Sequence, residues 1–234
     1  LRRYARLSVA GRAVLILAVQ PFLFGAAHYA NLDMLVAALI SLTVMAGADA
    51  VFRREQQRPD RAAILGMYVL AAAGFLAKGL IGVVRPGGVL FCWLLGRRRY
   101  RAMGRLLWWP GILLFLALIL PWMAAMQARY PGFFDYYIVY QHFQRFLETG
   151  FNNPHPFWFY VPVVLGLTLP WSIQLWRWLY LHGPLQADFV PPANRPEQVD
   201  RGVLRGLMLS WLAVVLVFFS IPTSKLVGYV IAVL

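Results

Sequence analysis

The chain has 234 residues, of which 61% are apolar and only 13% charged, about half the charged share of an ordinary soluble domain. Mean hydropathy is +0.62, and runs of about 18 or more apolar residues recur, each able to cross a hydrocarbon core roughly 30 Å thick. A soluble globule is excluded, the single Cys92 rules out an intrachain disulfide, and the net charge of +13 must first be tested against membrane topology.

In chain order, the apolar runs predict spans near 13–29, 32–51, 62–77, 79–96, 106–127, 157–181 and 206–222, with an eighth starting near Tyr229. The expected fold is all-α: a polytopic transmembrane helix bundle of about seven or eight spans, with residues 1–234 forming one domain. The chain starts without Met, shows no signal-peptide pattern and stops inside an apolar run, which reads as a piece of a longer protein.

With residues 1–12 on the cytoplasmic side, alternate loops hold four arginines in 1–12, four in 53–61, five in 97–105 and four in 177–205. The opposite face holds only Lys78, Arg129, Arg145 and Lys225, and Arg85 falls within a span. This asymmetry fits the positive-inside rule, so the basic excess sets orientation. No nucleic-acid partner is expected, because the arginines that would neutralise its phosphates are those that topology uses.

The two sets of loops also differ in kind. Residues 182–205 form a cytoplasmic connector rich in proline, with Pro184, Pro191, Pro192 and Pro196. The outer loop at 128–156 instead gathers Tyr130, Phe133, Phe134, Tyr136, Tyr137, Tyr140, Phe143, Phe146 and Phe151, as expected of a helix lying in the headgroup layer.

The outer face also holds nearly every isolated ionisable group flanked by apolar sequence: His28, Asp33, Lys78, Asp135, His142, Arg145, Glu148, His155 and Lys225. A charge at membrane depth costs about 2.5–3.5 kcal/mol on insertion scales and tends to mark a site. Asp33, next to Asn31, either favours the positive end of the second span or offers a carboxylate that takes a proton from a hydroxyl acceptor. Lys78 and Lys225 each precede a span running inward. Each either snorkels to the interface or combines with helix amides to hold a phosphate. His142 and Arg145 are three residues apart and would share a helical face. They fit a phosphate site, a divalent metal held through His142 with Glu148 and His155 nearby, or plain solvation; no strong zinc spacing is present. Arg85, with Pro86, Gly87 and Gly88, looks like a broken helix, which is the best sequence support for a transporter or flippase of a lipid-linked or anionic solute. Motifs for nucleotide hydrolysis, serine-esterase and zincin chemistry are absent.

Seven short motifs occur in order with these sides: Asn31-Leu32-Asp33-Met34, Ala77-Lys78-Gly79, Leu120-Pro121-Trp122, His142-Phe143-Gln144-Arg145-Phe146, residues 156–162 (Pro-Phe-Trp-Phe-Tyr-Val-Pro), Leu169-Pro170-Trp171 and Lys225-Leu226-x-x-Tyr229. Together they resemble the bacterial polyprenyl-phosphate-sugar transferases of the GT-C superfamily, above all the lipid A aminoarabinose transferases and their protein O-mannosyltransferase relatives. The likeness runs from about residue 20 to the end. It implies a GT-C bundle in the bacterial inner membrane that moves a sugar from undecaprenyl phosphate to a periplasmic acceptor, either lipid A, another glycolipid or a protein hydroxyl. By the same likeness Lys78, Arg145 and Lys225 would hold the donor phosphate and Asp33 would be a catalytic carboxylate. His142 and Tyr229 would be further site residues, with His142 the one metal ligand if a divalent cation binds. No other cofactor is implied. The family's main acidic base lies in an earlier periplasmic loop outside this chain, so the segment is expected to be inactive alone. The chain departs from the family at Val227, where Lys-Leu-Pro is usual, and at Arg85, in a stretch usually apolar.

Overall fold

The computed structural model describes residues 7–28, 32–144, 155–182, 201–222 and Lys225, and among them every regular element is helical. The order is α1 (Leu7–Ala18), α2 (Pro21–His28), α3 (Leu32–Glu55), α4 (Arg61–Lys78), α5 (Ile81–Gly96), α6 (Tyr100–Leu106) and α7 (Trp109–Arg129). A wide π-type helix, α8 (Asp135–Gln144), follows. Beyond it a single 3-10 turn at Phe157–Phe159 leads into α9 (Tyr160–Leu167), then α10 (Trp171–His182) and α11 (Arg201–Ser220). Among the described residues, four helical stretches are long and apolar enough to cross a membrane: Leu32–Glu55, Arg61–Lys78, Tyr100–Arg129 and Gly202–Ser220. The chain is thus a multi-pass membrane helix bundle.

Several expected spans take a more broken form. The first is a bent pair, with α1 and α2 meeting at 61°. Pro21, without an N–H, occupies the first position of α2, where that lack costs least. The run at 157–181 divides between α9 and α10: Thr168 Oγ1 donates to Val164 O at 2.7 Å, and Pro170 cannot continue the ladder. One reading needs correction: α5 runs unbroken through Pro86. α7 likewise runs unbroken through Pro121. Burial explains the first case, since Pro86 and Val89 are fully enclosed and neighbouring helices hold the segment despite the lost bond. With α5 intact, the sequence feature that favoured a transporter is gone.

Small residues set the helix spacing. Gly82 of α5 lies so close to Gly74 of α4 that a Cβ there would collide with backbone, and Gly111 of α7 lies against the ring of Tyr68. Between apolar helices in lipid, such close approach substitutes dispersion contact for the missing hydrophobic drive. The main core joins Val44, Ala48 and Phe52 of α3 to Val89, Trp93 and Leu94 of α5 and Leu207 of α11. Trp93 donates its indole N–H to Val203 O at 3.2 Å, tying the start of α11 to the end of α5.

Antiparallel packing gives the bundle two unlike ends. One collects the turns after α3 and α5, where Arg97 and Arg99 approach Glu55 at 3.4 and 3.8 Å. The other collects the start of α3, the α4–α5 turn, and the ends of α7 and α11. The segregation of cations deduced from the loops is therefore built into the helix directions.

Candidate functional site

The α4–α5 turn anchors the second end. Lys78 is the last residue of α4, and Gly79 turns the chain at φ +74°, a left-handed conformation that glycine adopts without strain. The Gly79 N–H donates to Phe75 O at 2.7 Å. Released from the helix axis there, the Lys78 ammonium donates to a carboxylate oxygen of Asp33, in the first turn of α3. The Asp33 side chain is largely enclosed and that of Lys78 about one-third exposed. Both residues were singled out in the sequence, but their pairing across 45 positions was not.

Lys225 is the second cation. It follows the end of α11, is only 2% exposed, and donates from Nζ to His155 O at 2.9 Å and Pro222 O at 2.5 Å. Two carbonyl dipoles solvate the ammonium but do not neutralise it, and burial pulls its pKa below the ordinary lysine value. The His155 ring stacks on Phe159 at 4.0 Å, Phe159 meets Tyr160 at 5.2 Å, and Tyr160 meets Phe219 of α11 at 5.9 Å. A continuous aromatic seam therefore carries the carbonyl that holds Lys225. Ile81, just past the Lys78 turn, packs on that same cluster, so both lysines belong to one end of the bundle.

The first part of the expected aromatic loop packs onto this end as well, while Phe146, Phe151 and the side chain of Phe143 lie outside the described residues. Phe133 stacks on Tyr137 at 5.1 Å, Trp122 of α7 meets Phe133 edge-on at 5.6 Å, and Tyr137 donates its hydroxyl to Phe75 O at 3.0 Å. Burial raises the Tyr137 pKa, which keeps the hydroxyl protonated and donating. Tyr136 and Tyr140 stack at 5.7 Å, and both rings are exposed. The arrangement offers a greasy wall beside fixed cations, suited to a ligand with an anionic head and an apolar tail.

Arg85 is a residue whose setting the sequence misread. The residue is 5% exposed and its guanidinium lies 3.8 Å from the centroid of the Phe219 ring, so it packs into the seam rather than marking a helix break. Asn31, Arg145, Glu148 and Tyr229, the side chain of His142, and the connector at 183–200 lie outside the described residues. Among the described residues no group of three His, Cys, Asp or Glu side chains could hold a metal.

The chain is a membrane helix bundle of the GT-C type. Its fold matches the crystal structure of ArnT from Cupriavidus metallidurans bound to undecaprenyl phosphate, with a TM-score of 0.72 and 27% identity over 93% of this chain and 37% of that one. The apo structure of the same protein matches with a TM-score of 0.65 and 26% identity over 92% and 36%. Residues 1–124 match the dolichyl-phosphate-mannose-protein mannosyltransferase family, and the chain belongs to that family. Similar sequences include undecaprenyl phosphate-alpha-4-amino-4-deoxy-L-arabinose arabinosyl transferases. That of Serratia proteamaculans is 33% identical over 71% of this chain and 28% of its own length. That of Erwinia tasmaniensis is 28% identical over 99% and 39%. The chain spans about a third of the length of these curated relatives.

Proposed function

We propose that this chain is the donor-phosphate-holding part of an inner-membrane glycosyltransferase, which moves a sugar from undecaprenyl phosphate to a hydroxyl of lipid A, another glycolipid or a protein on the periplasmic side. The observation that carries this reading is Lys225: a buried ammonium whose partners among the described residues are two carbonyls, at the end of the bundle opposite the arginine loops. A phosphate monoester or diester is the counter-ion such a site favours. The aromatic wall of α8, with the exposed rings of Tyr136 and Tyr140, supplies apolar surface for a polyprenyl tail. The names of the similar transferases, and the lipid phosphate bound by the similar crystal structure, point to the same donor class.

In the proposed reaction the acceptor oxygen attacks the anomeric carbon, the bond from that carbon to the phosphate oxygen breaks, and the lipid phosphate leaves with the bonding electrons. The acceptor proton passes to a carboxylate. Asp33, which accepts from the Lys78 ammonium, is the carboxylate of this chain assigned to that end, and the family's principal base would come from an earlier segment. Negative charge grows on the leaving phosphate, so cations already fixed beside it favour the transition state. Lys225 fills that role, with Arg145 and Lys78 assigned beside it. His142 and Tyr229 are assigned to the sugar side, and His142 is the residue that would ligate a divalent ion if one takes part.

The test is sugar transfer by the full-length protein carrying Lys225→Ala or Arg145→Ala. Removing one charge-assisted contact worth about 1.5–3 kcal/mol should slow turnover by roughly ten- to a hundredfold. Undiminished turnover in both variants removes these residues from the mechanism.

A further inference from the structure

The arginine-rich end holds a cleft of about 480 Å³ that the transferase reading does not use. Five arginines line it: Arg54 from the end of α3, Arg98 and Arg99 from the α5–α6 turn, and Arg101 and Arg105 from α6. Two carboxylates, Glu55 and Asp60, share the lining, and Glu55 is already engaged by Arg97 and Arg99. The cleft therefore carries a clear cationic excess.

Topology alone requires only that positive charge lie near this face, anywhere on its loops. Here the charge surrounds a concavity with an apolar floor, made by buried Val51, Ile64 and Leu106. Arg98 sits at φ +54°, in the left-handed region that glycine or asparagine usually fills. The turn is closed by Arg99 N–H donating to Leu94 O at 2.9 Å. Leu107 and Trp109, directly after Leu106 of the lining, are 70% and 69% exposed and give the cleft an apolar rim. Charged fork donors, an apolar floor and a greasy rim match a phosphodiester headgroup with acyl chains attached.

We propose that this cleft is a binding site for an anionic phospholipid, with the phosphate clamped by Arg98, Arg101 and Arg105 and the acyl chains laid along Leu107 and Trp109. A soluble phosphate shares the headgroup chemistry but gains nothing from the floor or the rim.

The experiment uses the full-length protein in mild detergent, titrated with phosphatidylglycerol, phosphatidylcholine or inorganic phosphate, with lipid retention read by native mass spectrometry. Phosphatidylglycerol should be retained in preference to phosphatidylcholine, and inorganic phosphate at equal concentration should not displace it. Arg98→Gln/Arg101→Gln/Arg105→Gln should weaken retention by roughly tenfold or more. The corresponding triple lysine variant keeps the topological charge but loses the planar forks, and should weaken it by a few-fold. Arg58→Gln, on the same end but outside the cleft, should leave retention unchanged. Equal retention by wild type and both triple variants overturns the proposal, as does displacement by inorganic phosphate or equal retention of phosphatidylcholine.

Discussion

Asp33 and Lys78 form an ion pair whose setting separates a structural role from a functional one. With the Lys78 side chain about one-third exposed, solvent still reaches the pair and both side chains lose freedom, so its contribution to stability is held to about 1 kcal/mol. Asp33→Asn and Lys78→Met, made in the full-length protein, are each expected to shift unfolding in detergent by less than about 1 kcal/mol. Transfer activity should nevertheless fall by more than tenfold, the outcome for groups that act on the reacting atoms rather than on the bundle. Matched small losses in both measurements would make the pair a helix-end staple. The sequence revealed these residues because each is an ionisable group isolated among apolar neighbours. Their pairing was not legible, since it depends on how α3 and α4 align over a long separation. Lys225 was legible as a candidate for the same reason, whereas its carbonyl partners on His155 and Pro222 depend on the tertiary path of the chain.

At the scale of elements, the approach of α4 and α5 sets where the Lys78 turn lies. Gly82→Ala places a methyl group against the Gly74 backbone and is expected to cost about 1–3 kcal/mol of stability, read as earlier unfolding of the full-length protein in detergent. An unchanged transition would mean that the two helices can separate freely. Long apolar runs were legible because the bilayer sets their length, and α3, α4, α7 and α11 lie close to their expected positions. Prolines were not legible by the same rule. Pro86 and Pro121 lie inside continuous helices, while Pro21 and Pro170 accompany breaks. Burial accounts for Pro86, whose surroundings are closed, and at Pro170 the preceding turn already ends in the side-chain bond of Thr168; Pro121 is exposed and α7 continues through it all the same. The clustering of aromatic residues in the 128–156 loop was legible, but the attachment of its Tyr137 to α4 through Phe75 required the fold.

For the whole molecule, antiparallel helices sort the chain's chemistry into two ends: arginine turns around an anionic-lipid cleft at one, and a buried lysine, an ion pair and an aromatic wall at the other. Charge counting along the loops anticipated that division because the same bias governs insertion. The most direct test is the affinity of the full-length protein for undecaprenyl phosphate and for unphosphorylated undecaprenol, compared between wild type and Lys225→Met across pH. Desolvation lowers the Lys225 pKa, so the phosphate-binding ammonium should be present at neutral pH and lost as pH rises through a value below that of a free lysine. The expected result is that wild type prefers the phosphate by at least about tenfold at neutral pH, that this preference fades with rising pH, and that Lys225→Met lacks it while still binding the alcohol. A preference for the phosphate that survives unaltered in Lys225→Met would contradict the assignment of Lys225 to the donor phosphate.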